Sequence, residues 1–345
     1  GAQVVRRILS NTEHAVIALV RATNVEEARQ RLERAWSDWP EAVRAIGSRV
    51  EAFVGDLTLP GLGLGPESWS ALSHSVTHIV HSAAELRFDG GLEEMRRCNV
   101  QGVAHLLELA HAANAHHGLS RFAHVSTAYV AGARTGDVSE DDLTDEFGFS
   151  NTYEQTKYEG EKLVRAAMTS FAVSIFRPGM VVGDSRTGEI RCFNTIYVPL
   201  RMYLAGRLRI VPSSPNLQAN MVPVDYVADA VARLAFDERA AGLTFHLTVA
   251  PENLPTARHL LERARSWAET DLGLRLPPAR FIPMERLAQL PGAERIGLPS
   301  FLMSYFSENR RFRRDNVERL LGPYAPDWEV IIPRLLAYAA DRGFL

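Results

Sequence analysis

Lysine is nearly missing from this sequence. Of 38 Lys+Arg residues only Lys157 and Lys162 are lysines, and every other basic residue is arginine. Cysteine is as scarce: Cys98 and Cys192 are the whole complement. Two cysteines argue against a disulfide framework and lead us to expect a reducing, cytoplasmic setting. No apolar run reaches bilayer-spanning length and no signal peptide is visible, so no stable membrane insertion is expected. A net charge of −3 gives no general reason to expect nucleic acid or an anionic membrane as partner. Internal repeats and low-complexity tracts are lacking, and no metal site is expected. What is there, 345 residues with 46% hydrophobic and 23% charged side chains, suits a globular protein with core enough for one large or two ordinary domains.

The rare lysine occupies an informative place. In NTYEQTKYEGEK (151–162), Tyr153 and Lys157 are four apart in a helical pattern, so they share one face about a turn apart. A phenol beside an ammonium is a plausible proton donor, since the cation favours phenolate and is expected to lower the tyrosine pKa. Nine tyrosines and two lysines in 345 residues give about 0.05 (9 × 2/345) Tyr-x-x-x-Lys pairs by chance. The bland alternative is a solvated helix face.

Taken in order, helix 1–9 precedes strand 15–20, helix 24–36 with Asn24 as N-cap, and strand 49–55. A short helix (67–76), strand 77–84, a long helix (92–113), strand 121–127, the Tyr153 helix and strand 172–177 follow. This alternation predicts an α/β fold with a doubly wound parallel sheet. After Pro178 it weakens. A helix around 194–205 must accommodate Pro199, and 224–236 with 244–249 reads as one more helix–strand pair. From Pro251 on the pattern is helical, with no second sheet evident. The reading is a Rossmann-type domain (1–178 and 219–249) and a smaller, mainly helical substrate-binding lid (179–218 and 250–345).

Ligands of such sheets bind beyond the carboxyl ends of the strands. Arg21 ends the first visible strand, where an arginine pairs with a 2′-phosphate and an acid would instead accept ribose hydroxyls. Arg31 either assists or is an ordinary solvated arginine. Asp56 and Leu57 are placed to flank adenine, and Ala83 and Ala84 leave room for cofactor backbone. Ser126 and Thr127 close the strand before the Tyr153 helix, where a hydroxyl can bond a substrate oxygen. Asn99, inside a long helix, either holds a water relaying protons to Lys157 or is an ordinary helix amide.

Asn99, Ser126-Thr127, Tyr153 and Lys157 match in order and spacing the Asn–Ser/Thr–Tyr–Lys tetrad of the extended short-chain dehydrogenase/reductases. LVRA (19–22), GDL (55–57), HSAAELRF (81–88), NVQG (99–102), VSTAYV (125–130), YEQTK (153–157), FRPGMVVGDSRTGE (176–189) and PVDYVA (223–228) resemble the thioester-reductase group. That group includes fatty acyl-CoA reductases and the reductive release domains of carboxylic acid reductases and peptide synthetases. The resemblance covers roughly residues 1–250. It implies Thr127 as the catalytic hydroxyl with Ser126 beside it, Pro178 and Gly179 bordering a nicotinamide, and Lys157 on the nicotinamide ribose. The implied first strand and glycine-rich turn are not found. Gly1 resembles the last glycine of that turn, and the sequence is expected to start inside it.

The expected function is NADPH-dependent reduction of an acyl thioester, borne by coenzyme A or a carrier protein, to an aldehyde or onward to the alcohol. A nucleotide-sugar epimerase or dehydratase of the same fold is the alternative. A non-catalytic NADP-sensing module is a third reading, against which the complete tetrad argues. Arg310, Arg311, Arg313 and Arg314 either face the anionic oxygens of the thioester's carrier or form a solvated face with local ion pairs. Phe193, Ile196, Tyr197, Leu200, Met202 and Tyr203, with Phe301, Leu302, Tyr305 and Phe306, either line an acyl pocket or are plain core.

Overall fold

Strands rich in β-branched residues alternate with helices that carry one apolar stripe. In the computed structural model they form a parallel sheet with helices on both faces. The structure describes residues 1–88, 90–193, 195–283, 286 and 310–345. From the start run α1 (Ala2–Asn11), β1 (Val16–Val20), α2 (Val25–Ala35), α3 (Pro40–Arg44), β2 (Val50–Val54), α4 (Pro66–Ser73) and β3 (His78–His81). Then come α5 (Leu92–Arg96), α6 (Gly102–His117), β4 (Arg121–Val125), β5 (Gly136–Val138), α7 (Thr152–Ala167) and β6 (Val173–Pro178). Next are β7 (Met180–Val182), α8 (Tyr197–Leu204), β8 (Ile210–Val211), β9 (Met221–Pro223), α9 (Val224–Leu234) and β10 (Leu243–Leu247). The chain closes with α10 (Ala257–Asp271), β11 (Arg280–Phe281), β12 (Arg310–Phe312), α11 (Asp315–Leu321) and α12 (Trp328–Asp341).

Strands β10, β6, β4 and β3 lie side by side in that order, all parallel. β1 and β2 form a second parallel pair, and among the described residues no backbone ladder joins β1 to β3. Successive side chains alternate faces as strand geometry requires. Phe122 and Ile175 enter the core under α4, α6 and α7, whereas Ala123 and Phe176 enter the larger core that continues through α8, α9, α10 and α12. All six residues of β6 are buried, the signature of a strand covered on both faces.

Two expectations change. The helix expected over 92–113 is interrupted at Arg97–Gln101 by a π turn, which divides α5 from α6 and carries Asn99. Helix α7 crosses against this turn at Gly160, where any Cβ would collide with the Asn99 carbonyl oxygen. The part beyond Pro178 holds more strand than expected, in parallel pairs β7–β9, β8–β11 and β5–β12. Strands of two or three residues are too short to show a period, and their partners lie far off in the chain: Gly136 pairs with Arg310. Pro199 falls in the first turn of α8, where its missing N–H has no helical partner to lose. No helix among the described residues is long and apolar enough to cross a membrane.

Candidate active site

Helix α7 begins at a reciprocal cap. Asn151 Oδ1 accepts from Glu154 N at 2.9 Å, and Glu154 Oε2 accepts from Ser150 N at 2.9 Å. The cap fixes Tyr153 as the second residue of the helix, with its ring edge-on to Phe88 at 5.6 Å between centroids. Its hydroxyl is hydrogen-bonded to the Thr127 hydroxyl, and Thr127 Oγ1 also donates to Pro178 O at 3.5 Å. Burial pushes the Tyr153 phenol up to about 12, the Thr127 hydrogen bond pulls part of the way back, and the Glu154 carboxylate adds to the rise.

Lys157 sits one turn on and is buried; its Nζ donates to Val125 O at 2.9 Å. Burial lowers the ammonium to about 8, against the charges of Glu161 and Cys98. The expected depression of the Tyr153 pKa by Lys157 is therefore corrected. The ammonium is turned to a strand carbonyl, and burial governs both groups.

Ser126 does not join the Thr127 and Tyr153 hydroxyls. Its Oγ donates to Glu161 Oε2 at 2.6 Å, and Glu161 pairs with Arg177 at 2.6 Å, both carboxylate and guanidinium being buried. Arg177 is held further by Asp142 O at 2.8 Å and His246 Nε2 at 3.2 Å. Burial pushes the Glu161 carboxyl up, but Arg177, Arg165 and Ser126 together hold it below its ordinary value. Neighbouring residues in extended backbone point to opposite sides, so Thr127 and Ser126 cannot both face Tyr153. The Asn99 side chain is bonded within the protein. Nδ2 donates to Glu85 O and Thr156 Oγ1, both at 3.0 Å, and Oδ1 accepts from Glu85 N at 2.8 Å. With both amide hydrogens taken, Asn99 staples the loop after β3 to α7.

Of the residues singled out for a cofactor, Arg21, Asp56, Leu57, Ala83, Ala84, Pro178 and Gly179 lie at or just beyond strand ends, and Arg31 lies in α2. Arg21 follows β1, exposed, and its guanidinium makes no hydrogen bond among the described residues, although its charge acts on Asp56. Arg31 pairs with Glu27 at 2.7 Å and reaches back to Arg21 O at 2.5 Å, so it shapes the Arg21 turn. Asp56 follows β2; Oδ1 accepts from Thr58 N and Oγ1, both at 2.8 Å, and Oδ2 accepts no bond among the described residues. Leu57 packs on Gly102 of α6. Ala83 is exposed and Ala84 half-buried in the loop after β3, where the Gly1 amino group donates to Ser82 Oγ at 3.0 Å. Gly179 lies against Asn220: a Cβ there would stand 2.9 Å from Asn220 Oδ1.

Beside this group opens a cavity of about 720 Å³, mouth included, between β7, α8 and α10. Ile196 and Leu200 line it, as the acyl-pocket reading expects, with Tyr129 and Met180 from the sheet side. Tyr197 and Tyr203 are core instead: the Tyr197 hydroxyl accepts from Gly183 N, and the Tyr203 hydroxyl donates to Pro277 O, each at 3.0 Å. Met202 packs partly buried against the core, and Phe193 stacks on Phe344. Phe301, Leu302, Tyr305 and Phe306 lie outside the described residues. Two of the four arginines, Arg310 and Arg314, belong to the fold. Arg310 bonds Gly132 O and lies over the Tyr129 ring, and buried Arg314 pairs with Glu318 at 2.9 Å and with the Tyr226 hydroxyl. Arg311 and Arg313 are exposed, in ion pairs with Asp137 and Asp315.

With this geometry in place, the family model described as male sterility protein matches residues 1–231. The chain belongs to this family. The male sterility family is a nicotinamide-dinucleotide-binding group of reductases within the extended short-chain dehydrogenase/reductases, of the thioester-reductase type. The chain is 31% identical over 283 residues to a non-canonical nonribosomal peptide synthetase of Aspergillus campestris, covering 76% of this chain and 26% of that protein. To the fatty acyl-CoA reductase wat of Drosophila melanogaster it is 27% identical over 271 residues, covering 69% of this chain and 52% of that protein. It therefore spans less than two thirds of either relative. The terminal R domain from the myxalamid PKS-NRPS biosynthetic pathway superposes with a TM-score of 0.83 at 25% identity, over 100% of this chain and 88% of that one.

Proposed function

We propose that this protein reduces an acyl thioester, carried on coenzyme A or a carrier protein, to an aldehyde with NADPH as reductant. The carrying observation is the Thr127–Tyr153 hydroxyl pair, with Thr127 on the Pro178 carbonyl and a cavity of mainly aliphatic walls lined by Met180, two residues further on. An apolar cavity suits an acyl chain; a sugar nucleotide asks for polar partners that these walls supply sparsely. Residues able to hold the dinucleotide are Arg21, Asp56, Leu57, Ala83, Ala84, Pro178 and Gly179 at the strand ends, with Lys157 toward the ribose. When bound, the nicotinamide supplies the hydride.

The chain's own part is binding, orientation and one proton. A phenol raised to about 12 stays protonated at neutral pH, so Tyr153 acts as donor to the developing carbonyl oxygen, with Thr127 as second hydrogen-bond partner. The hemithioacetal so formed expels the thiol and leaves the aldehyde. Purified protein given NADPH and an acyl-CoA should release aldehyde, trapped as its oxime. Interconversion of a sugar nucleotide without net oxidation of cofactor would instead establish the epimerase reading.

Two further outcomes check this reading. Wild-type enzyme should prefer NADPH, and Arg21→Ala should raise the NADPH KM far more than the NADH KM, because no acid stands at Ala22, Thr23 or Asn24 to bind ribose hydroxyls. Equal use of NADH by the wild type would mean that Arg21 is not a phosphate ligand. The pH profile carries the second check. Rising pH removes the Lys157 charge near 8 while Tyr153 keeps its proton, so kcat/KM should fall roughly tenfold per unit above that pH. A profile flat to about pH 9.5 would contradict a need for the ammonium.

A further inference from the structure

Glu161 is fully buried on α7, one turn beyond Lys157 and on the same face, and the reaction proposed above gives it no part. The two side chains grip consecutive residues at the end of β4. Lys157 Nζ donates to Val125 O at 2.9 Å, and Glu161 Oε2 accepts from Ser126 Oγ at 2.6 Å. The next residue is Thr127, whose hydroxyl is bonded to Tyr153. Arg177 of β6 holds the carboxylate through Nη2 at 2.6 Å and Nε at 3.0 Å, and Arg165 of α7 adds its Nε at 3.0 Å. These donors keep the carboxyl below its ordinary value although burial pushes it up, so it stays ionised. A buried anion one turn from a buried ammonium acts across a medium that water and salt screen weakly.

The other titratable groups around the ammonium are neutral. Cys98, on the π turn, is a thiol that burial pushes up, which leaves Glu161 as the standing negative charge acting on Lys157. His81 of β3 and His124 of β4 are lowered by burial, His81 to about 3, and Tyr153 keeps its proton. We propose that Glu161 is a positioning residue of the reductase: it keeps the Lys157 ammonium charged and turned to the end of β4. The inference rests on the thioester-reductase reading, in which Lys157 works as a cation, and adds to it a residue sealed away from substrate and cofactor. Without the carboxylate the ammonium loses its proton at a lower pH than the value near 8 that burial and Glu161 set together.

The scarcity of lysine makes this directly measurable. In protein labelled with ¹³C at lysine Cε only Lys157 and Lys162 give signals, and Lys162→Arg, at an exposed position, assigns them. Glu161→Gln keeps the size of the side chain and removes its charge. In cofactor-free protein it should bring the Lys157 midpoint down by about one pH unit. The alkaline limb of kcat/KM should move with it, a loss of about 10-fold at pH 9 that shrinks to less than about 2-fold at pH 6. The single substitution leaves Arg177 buried without its anion, so Glu161→Gln with Arg177→Met repeats the titration without that charge and should move the midpoint the same way. An unmoved Lys157 midpoint, or a kcat/KM lowered equally at every pH, would assign Glu161 to the fold alone and overturn the proposal. If wild-type protein reduces no acyl thioester, the thioester reading fails by itself, because the lysine titration judges Glu161 without substrate or cofactor.

Discussion

Tyr153→Phe is expected to lower kcat by about 10²-fold or more while leaving NADPH affinity unchanged. The substitution removes one oxygen. The ring keeps its edge contact with Phe88, the Asn151–Glu154 cap still fixes its place on α7, and Lys157 still bonds Val125 O. Thr127 would remain as a hydrogen-bond partner for the substrate oxygen, but a threonine hydroxyl is too weak an acid to replace a phenol. Cofactor titration followed by fluorescence, with single-turnover kinetics alongside, separates binding from chemistry. Near-wild-type turnover in the variant would remove Tyr153 as proton donor.

Glu161→Leu is expected to destabilise the fold by about 3–5 kcal/mol, because it leaves Arg177 buried without its carboxylate. Arg177 is 1% exposed and Glu161 0%, so water cannot replace the lost partner. Ser126 Oγ and Arg165 lose the same acceptor. Replacing both ends of the pair, as in Glu161→Leu with Arg177→Met, should recover much of the loss, since apolar residues of similar volume often match a buried pair. Urea unfolding of wild type and the two variants measures this. A single-variant loss under about 1 kcal/mol would mean that the carbonyls of Glu140 and Asp142 suffice for the arginine.

Much of this architecture is legible in the sequence for local reasons. The Tyr153 helix carries its own cap, and the strands are short β-branched runs at regular distance. Arg21, Asp56, Ala83 and Thr127 each lie within two residues of a strand's carboxyl end, so the strand pattern alone sends them to the strand ends. What the sequence hides is non-local. Ser126 beside Thr127 looks like a second catalytic hydroxyl until extended backbone sends it to Glu161, a residue with no motif of its own. The π turn at Asn99 has no compositional mark, and its clue lies in Gly160, on another helix. Asn220 is one polar residue among many in an irregular stretch; only the folded chain sets it against Gly179. The arginines at 310–314 read as a charged patch, yet Arg310 and Arg314 serve partners that come from Gly132 and Tyr226, far back in the chain.

The most direct measurement of the central claim follows a label. NADPH carrying deuterium at the transferable position is incubated with the protein and an acyl thioester, and the products are analysed by mass spectrometry and thiol titration. The account predicts one deuterium on the carbon that was the thioester carbonyl, with one aldehyde and one thiol formed per NADPH oxidised to NADP+. Retention of the deuterium on the cofactor, with the thioester intact across acyl groups and both carriers, would contradict it.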